Sequence, residues 1–227
     1  MADSLSIIVP AYNEAAILVQ TLPRVHERFP DAELIVVGDG CGDDTGACIA
    51  ELGFAVNYIQ YQPNRGKGYA IRRGMLAAHG DLAVFTDADL PFGVDGVQQV
   101  VDLLGGASDR YDVVIASKLQ QQRDLVYRSA RWAVRRLVVL LTGLRYPDTQ
   151  AGLKGFRSEA RRAIFSRAVV DRFATDIEML YLAQRAGLRV GMVPLAVAGE
   201  LRPSTFNFRQ GLLLLADLWK IRLHRYD

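Results

Sequence analysis

Residues 82–89 read Leu82-Ala83-Val84-Phe85-Thr86-Asp87-Ala88-Asp89, five apolar or β-branched residues followed by two carboxylates one residue apart. A run this short, with no polar alternation, suits a strand buried on both faces. Leu5–Val9, Leu34–Val37, Val56–Tyr61 and Val113–Ala116 are runs of the same kind. Between them, Ala15–Arg28, Thr45–Leu52, Gly68–His79 and Val94–Leu104 carry helical spacing. Strands alternating with helices predict an α/β fold, a mostly parallel sheet flanked by helices. With 227 residues against about 150 per domain, a single domain is expected. Ligands of such sheets bind beyond the carboxyl ends of the strands. The loops at those ends read Pro10-Ala11-Tyr12-Asn13-Glu14, Gly38-Asp39-Gly40, Asn64-Arg65-Gly66-Lys67-Gly68 and Asp87-Ala88-Asp89, all polar or glycine-rich.

Composition narrows the classes. Half of the residues are apolar and 23% are charged, which excludes disordered, collagen-like and disulfide-scaffold chains. The longest apolar runs, Leu137–Leu141 and Leu212–Ala216, fall short of the roughly 20 residues that cross a bilayer. Met1–Ser6 leads straight into a strand without a basic, cleavable leader, so the expected location is cytoplasmic. Cys41 and Cys48 have no histidine close by, and His26, His79 and His224 are scattered, so any metal must be held by carboxylates. Residues 1–109 hold 6 Lys and Arg against 15 Asp and Glu, net −9, whereas residues 110–227 hold 21 against 10, net +11. An acidic half suits a divalent cation and an arginine-rich half suits phosphate or an anionic membrane surface, the alternative being solvated helix faces.

Two carboxylates at i and i+2 where a strand ends can hold one hard cation and leave positions for phosphate and water. A lone Asp-x-Asp is also a common solvated turn; its place after the fourth strand, among other polar loops, favours the metal. Gly38-x-Gly40 imitates a dinucleotide loop, but Asp43 stands where the third glycine is needed. Gly66-Lys67 lacks both the earlier glycine, Tyr61 being there, and a following Ser or Thr, so no Walker loop exists. Arg65 and Lys67 could still lie against a diphosphate, or simply open a helix. Beyond residue 120 the pattern reads helical, over Leu125–Leu144, Ser158–Ala168, Thr175–Ala186 and Asn207–Arg225, with a loop at 147–152.

The strings Val9-Pro10-Ala11-Tyr12-Asn13-Glu14, Val36-Val37-Gly38-Asp39-Gly40 with Asp43 and Thr45, Asn64-Arg65-Gly66-Lys67-Gly68, Asp87-Ala88-Asp89-Leu90, Asp148-Thr149-Gln150-Ala151-Gly152-Leu153-Lys154-Gly155-Phe156 and Asp176-Ile177-Glu178 follow one another in this order. In them the chain resembles glycosyltransferase family 2 enzymes of the GT-A fold, and among those the polyprenyl-phosphate or dolichyl-phosphate glycosyltransferases. The resemblance implies that Pro10, Ala11, Tyr12 and Glu14 with Asp39 hold base and ribose, and that Arg65 and Lys67 lie near base or diphosphate. It further implies that Asp87, beside Ala88, reaches the ribose, and that Asp87 and Asp89 bind Mg2+ or Mn2+. Asp148, with Asp176 and Glu178 as rivals, resembles the base or acceptor-orienting carboxylate, though any of them could instead order an arginine. Lys118, Arg123, Arg128 and Arg131 could clamp an acceptor phosphate, each having a surface salt bridge as its alternative. Gly38 departs from the family's first aspartate, Cys41 from its serine, and Lys118 from a commoner arginine, which bears on base recognition.

The implied partners are a nucleotide-diphospho-sugar donor and a polyprenyl-phosphate acceptor, with no nucleic acid. The implied reaction is inverting, metal-dependent hexose transfer, with glucose from UDP-glucose as first choice. GDP-mannose, a soluble acceptor, or a non-catalytic nucleotide-sugar-binding protein are the alternatives. Residues 1–109 form the donor and metal half, 110–205 the acceptor half and 206–227 an amphipathic last helix. That helix, with Phe206, Phe208, Leu212–Leu215, Leu218, Trp219, Ile221 and Leu223 beside Arg209, Lys220, Arg222 and Arg225, suits a peripheral position on a membrane surface. Its alternative is docking on the core, on a second subunit or on a membrane protein.

Overall fold

The computed structural model describes residues 3–106, 111–118, 136, 138–144, 152–172, 174–198 and 208–226. Its strands are β1 (Leu5–Ala11), β2 (Glu33–Asp39), β3 (Asn57–Tyr61), β4 (Leu82–Thr86), β5 (Val113–Lys118), β6 (Leu153–Arg157) and β7 (Val190–Leu195). The helices are α1 (Ala15–Arg28), α2 (Thr45–Ala50), α3 (Lys67–Ala77), α4 (Gly93–Gly105), α5 (Ser158–Phe165), α6 (Thr175–Arg185) and α7 (Phe208–Leu223), and residues 138–142 are helical as well. All seven strands lie in one sheet of order β3-β2-β1-β4-β6-β5-β7. β3, β2, β1 and β4 run parallel. β6 runs antiparallel between β4 and β5, and β7 pairs parallel with β5 at the edge.

Both faces of the sheet are covered, which is why its central strands are unbroken apolar runs. Alternate residues feed alternate layers. Ile8, Ile35, Phe85, Ile115 and Phe156 pack with Ile71 and Met75 of α3, Ile164 and Phe165 of α5, Ile177 and Leu180 of α6 and Leu218 of α7. Ile7, Val36, Val84 and Val114 pack with Leu18 and Leu22 of α1, Ile49 of α2 and Val97 and Val100 of α4.

The first five strands and four helices match the sequence reading within one or two residues at most ends, as do α5, α6 and α7. The strands β6 and β7 lie in stretches to which the sequence reading assigns no element. Lys154 and Gly155 break the apolar run of β6, and Gly191 and Pro194 break that of β7. Pro194 is tolerated because β7 is an edge strand. Gly155 is required by the approach of α4: a Cβ there would meet Leu104 Cδ1 and Val100 Cγ1, each at 2.6 Å.

Gly155→Val therefore forces β6 and α4 apart. The expected cost is about 1–3 kcal/mol of stability, read as a lowered urea midpoint with an unchanged denaturant slope.

Candidate functional site

The parallel strands β1, β2, β3 and β4 end on one side, and their loops are tied together there. Asp39, the buried last residue of β2, accepts the backbone N–H of Arg65 at 2.7 Å on Oδ1 and that of Gly66 at 2.8 Å on Oδ2. Its carbonyl oxygen accepts Asn64 Nδ2 at 2.9 Å. One residue thus shapes the whole turn into α3. Gly40 has φ +70, and a Cβ on it would lie 2.7 Å from Asn64 Cα, so glycine is needed there both for the turn and for the close approach. The first loop joins through Asn13, whose Oδ1 accepts Gly42 N–H at 2.8 Å, and through Asp43, which accepts Ala15 N–H at 3.2 Å. Asp43 also accepts the Thr45 hydroxyl at 2.5 Å. Partial burial opposes its charge, but the Thr45 hydroxyl and the N–H groups of Ala15 and Thr45 outweigh that and hold it below the usual aspartate range.

At the end of β4 the chain turns sharply. Leu90 N–H donates to Asp87 O at 3.0 Å, and Leu90 takes φ +47 with its side chain buried. Asp87 N–H donates to Gly152 O at 3.1 Å, and the Asp87 carboxylate lies flat on Gly152, where a Cβ would sit 2.7 Å from Cγ. Lys67, the first residue of α3, puts Nζ 2.5 Å from Asp87 Oδ1. Burial opposes the lysine's charge, but Asp87, then Asp176, with Asp89 also contributing, more than offset it and raise its pKa above the ordinary lysine value. The start of α3 is pressed against the start of α6. Tyr69 N–H donates to Asp171 O at 3.0 Å, and a Cβ on Gly68 would meet Thr175 Cβ at 2.7 Å.

Of the residues marked in the sequence, Asp39, Arg65, Lys67, Asp87, Asp89 and Asp176 come together around these loops. Pro10, Ala11, Tyr12 and Glu14 stand at the end of β1, with Tyr12 exposed and Ala11 buried. Ala88 is a core residue packed with Leu90 and Phe92. Arg65 stacks its guanidinium 3.7 Å from the Tyr69 ring centroid and 3.9 Å from Asp171. Glu178 has structural work: fully buried, it accepts Val169 N–H at 2.8 Å, Val170 N–H at 2.9 Å and the Tyr226 hydroxyl at 2.7 Å. Asp148, Arg123, Arg128 and Arg131 lie outside the described residues, as does the Lys118 side chain. At Gly38 the space of a side chain is filled by the Tyr58 phenol, which burial, with Cys41 and Asp43 nearby, pushes up to about 12.

Sequence reasoning missed three contributors. Asp171 braces the loop by accepting Arg72 at 2.7 Å. Gly152 gives the Asp87 carboxylate its seat. Lys154 is fully buried on β6, with Nζ 2.7 Å from Asp176 Oδ1. A lysine inside Leu153-Lys154-Gly155-Phe156 was the visible signal for the last.

Among the described residues no group of three or more His, Cys, Asp or Glu side chains is arranged to hold a metal. Asp87 and Asp89 nonetheless offer two hard oxygen donors of the kind a divalent cation takes. The Lys67 ammonium drawn onto Asp87 shows that this carboxylate accepts a cation.

The sequence profile of glycosyl transferase family 2 matches residues 6–173. A dolichyl-phosphate beta-glucosyltransferase of Drosophila melanogaster is 32% identical over 215 residues, covering 83% of this chain and 65% of its own length. One of the same name from Dictyostelium discoideum is 29% identical over 221 residues, covering 83% of this chain and 64% of its own length. This chain thus spans just under two thirds of either relative. In structure it is similar to glucosyl-3-phosphoglycerate synthase from Mycobacterium tuberculosis, solved with Mn2+, UDP and phosphoglyceric acid. The TM-score is 0.74 at 21% identity, over 98% of this chain and 80% of that one. That likeness establishes the GT-A fold.

Glu178→Gln turns an amide N–H2 towards one of the two backbone donors. Stability is expected to fall by about 2 kcal/mol in urea unfolding, while the affinity for UDP or GDP stays at the wild-type value.

Proposed function

The chain belongs to glycosyl transferase family 2, and from that membership we propose that it transfers a hexose, glucose from UDP-glucose, onto a polyprenyl phosphate with inversion at the anomeric carbon. The observation that carries the reading is the cation-holding carboxylate Asp87 at the end of β4, paired with Lys67 and one residue from Asp89. This is the place where a leaving diphosphate needs countercharge. Relatives named dolichyl-phosphate beta-glucosyltransferase support the sugar and the acceptor.

In this reading the loops around Pro10–Glu14 and Asp39 hold the nucleoside, and Lys67 and Arg65 turn to the diphosphate. A divalent cation on Asp87 and Asp89 supplies Lewis-acid neutralisation of charge on the departing nucleoside diphosphate. A phosphate-monoester acceptor, with a second pKa of about 6, is already largely anionic near neutral pH. Its oxygen forms the new bond to the anomeric carbon as the bond to the diphosphate oxygen breaks on the opposite face, so strong base catalysis is not required. Asp148 then serves to order cations around the acceptor, and Lys118, Arg123, Arg128 and Arg131 supply the acceptor's countercharge.

The last helix supports contact with a membrane surface. Leu214, Leu218 and Ile221 of α7 are buried, whereas Leu215, Trp219 and Leu223 form a second stripe, 37%, 53% and 72% exposed. Arg222 and Arg225 are exposed beside it. Lys220 is used otherwise, donating to Val169 O at 2.7 Å. An apolar stripe flanked by arginines suits an interface carrying anionic lipid. No described helix is long and apolar enough to cross a membrane.

Radiolabelled UDP-glucose, Mg2+ and a short polyprenyl phosphate are expected to yield label in the organic phase. Label from GDP-mannose instead would change the sugar, and label only on a soluble phosphate would change the acceptor. Asp89→Ala should lower turnover at least about 100-fold, as should chelation of the metal; activity surviving both would remove the cation from the mechanism. Combined Leu215→Ser, Trp219→Ser and Leu223→Ser should abolish sedimentation with phosphatidylglycerol vesicles while leaving the fold intact. Unchanged sedimentation would exclude this stripe as the membrane contact.

A further inference from the structure

Lys154 has no part in the mechanism above, yet its ammonium group is fully buried. It lies on β6 opposite Phe85 in the antiparallel register, with Nζ 5.3 Å from the Phe85 ring centroid and 2.7 Å from Asp176 Oδ1. An ammonium in an apolar layer is costly to bury even when paired, and a methionine of similar volume would fill the same space at no such cost. Packing therefore does not account for a lysine here. Its partner points to another role, because Asp176 is not sealed: its side chain retains 17% exposure, and Lys67 on the other side of the site retains 47%.

The two ion pairs close a ring. Lys67 pairs with Asp87, Asp87 N–H binds Gly152 O, and Gly152 leads along β6 to Lys154. Lys154 pairs with Asp176, whose neighbour Thr175 packs on Gly68, next to Lys67. Charges alternate around this ring: Lys154, Asp176, Lys67, Asp87. Resting on the donor site proposed above, we infer that Lys154 is a positioning residue for the donor diphosphate, acting through Asp176 to keep Lys67 available.

The physical reason is charge. Asp87, Asp89 and Asp176 all stand near the place assigned to a strongly anionic diphosphate. Lys154 is a fixed countercharge that draws Asp176 inward and neutralises it from behind. Without Lys154, the Asp176 carboxylate is left to pull on Lys67, and it also repels the diphosphate directly. Both effects weaken nucleotide binding.

Calorimetric titration of the full chain with UDP and with GDP, each with Mg2+, tests this. Lys154→Met is expected to bind the preferred nucleotide about tenfold more weakly. Adding Asp176→Asn to it should restore affinity to within about twofold of wild type. A purely structural lysine would instead lower the melting temperature and leave nucleotide affinity alone. Wild-type affinity in a folded Lys154→Met chain, or a double variant as weak as the single one, overturns the inference. Should Lys154→Met fail to fold, Asp176→Asn alone must bind at least as tightly as wild type, and weaker binding overturns it equally. A wild-type chain that binds neither nucleotide removes the donor site itself, a failure distinct from that of the lysine's role.

Discussion

The ion pair between Lys67 and Asp87, at 2.5 Å, joins the start of α3 to the loop that follows β4. Lys67 opens α3 and Asp87 follows β4, and the Asp87 carboxylate in turn rests on Gly152 at the entrance to β6. An exposed ion pair contributes little to stability, so its importance is positional. It sets a cation and a carboxylate side by side at the carboxyl edge of the sheet, where the loops converge. The surrounding features serve that placement: the Asp39 hydrogen bonds that shape the turn before Lys67, the glycines that let α3 approach α6, and the left-handed turn at Leu90.

The sheet supplies the rigidity this arrangement needs. Its central strands are buried on both faces, so they cannot shift without disturbing two apolar layers at once. Inserting β6 antiparallel beside β4 brings residues 152–154 next to residues 85–87, and this register delivers Gly152 to Asp87 and Lys154 beneath the site. The topology, more than any single loop, brings residues from both halves of the chain together at this edge. The difference of charge between the halves accordingly does not mark two separate modules at this point.

Much of this was legible in the sequence. Unbroken apolar runs identified β1, β2, β4 and β5 because burial on both faces erases alternation, and the polar strings after them identified the edge that carries the site. β6 and β7 were not legible, since Lys154, Gly155, Gly191 and Pro194 are explained only by partners elsewhere: Asp176, α4, the Tyr111 ring that packs on Gly191, and the sheet edge. Asp176 and Glu178 looked interchangeable as acids in one short string. On a helix, residues two apart point about 200° away from each other. Asp176 pairs with Lys154, and Glu178 turns back to tie residues 169 and 170 and Tyr226. Ala88 belonged to a functional-looking string but faces the core, as a residue between two outward carboxylates in a tight turn must.

In the proposed reaction Asp87, Asp89 and Lys67 form the diphosphate end of a nucleotide-sugar site. Crystals grown with UDP and Mn2+, measured with anomalous scattering at the manganese edge, test it most directly. A manganese peak is expected within coordination distance of Asp87 and Asp89, with Lys67 moved from Asp87 onto the diphosphate. A peak elsewhere, or UDP bound while Lys67 remains on Asp87, would contradict it.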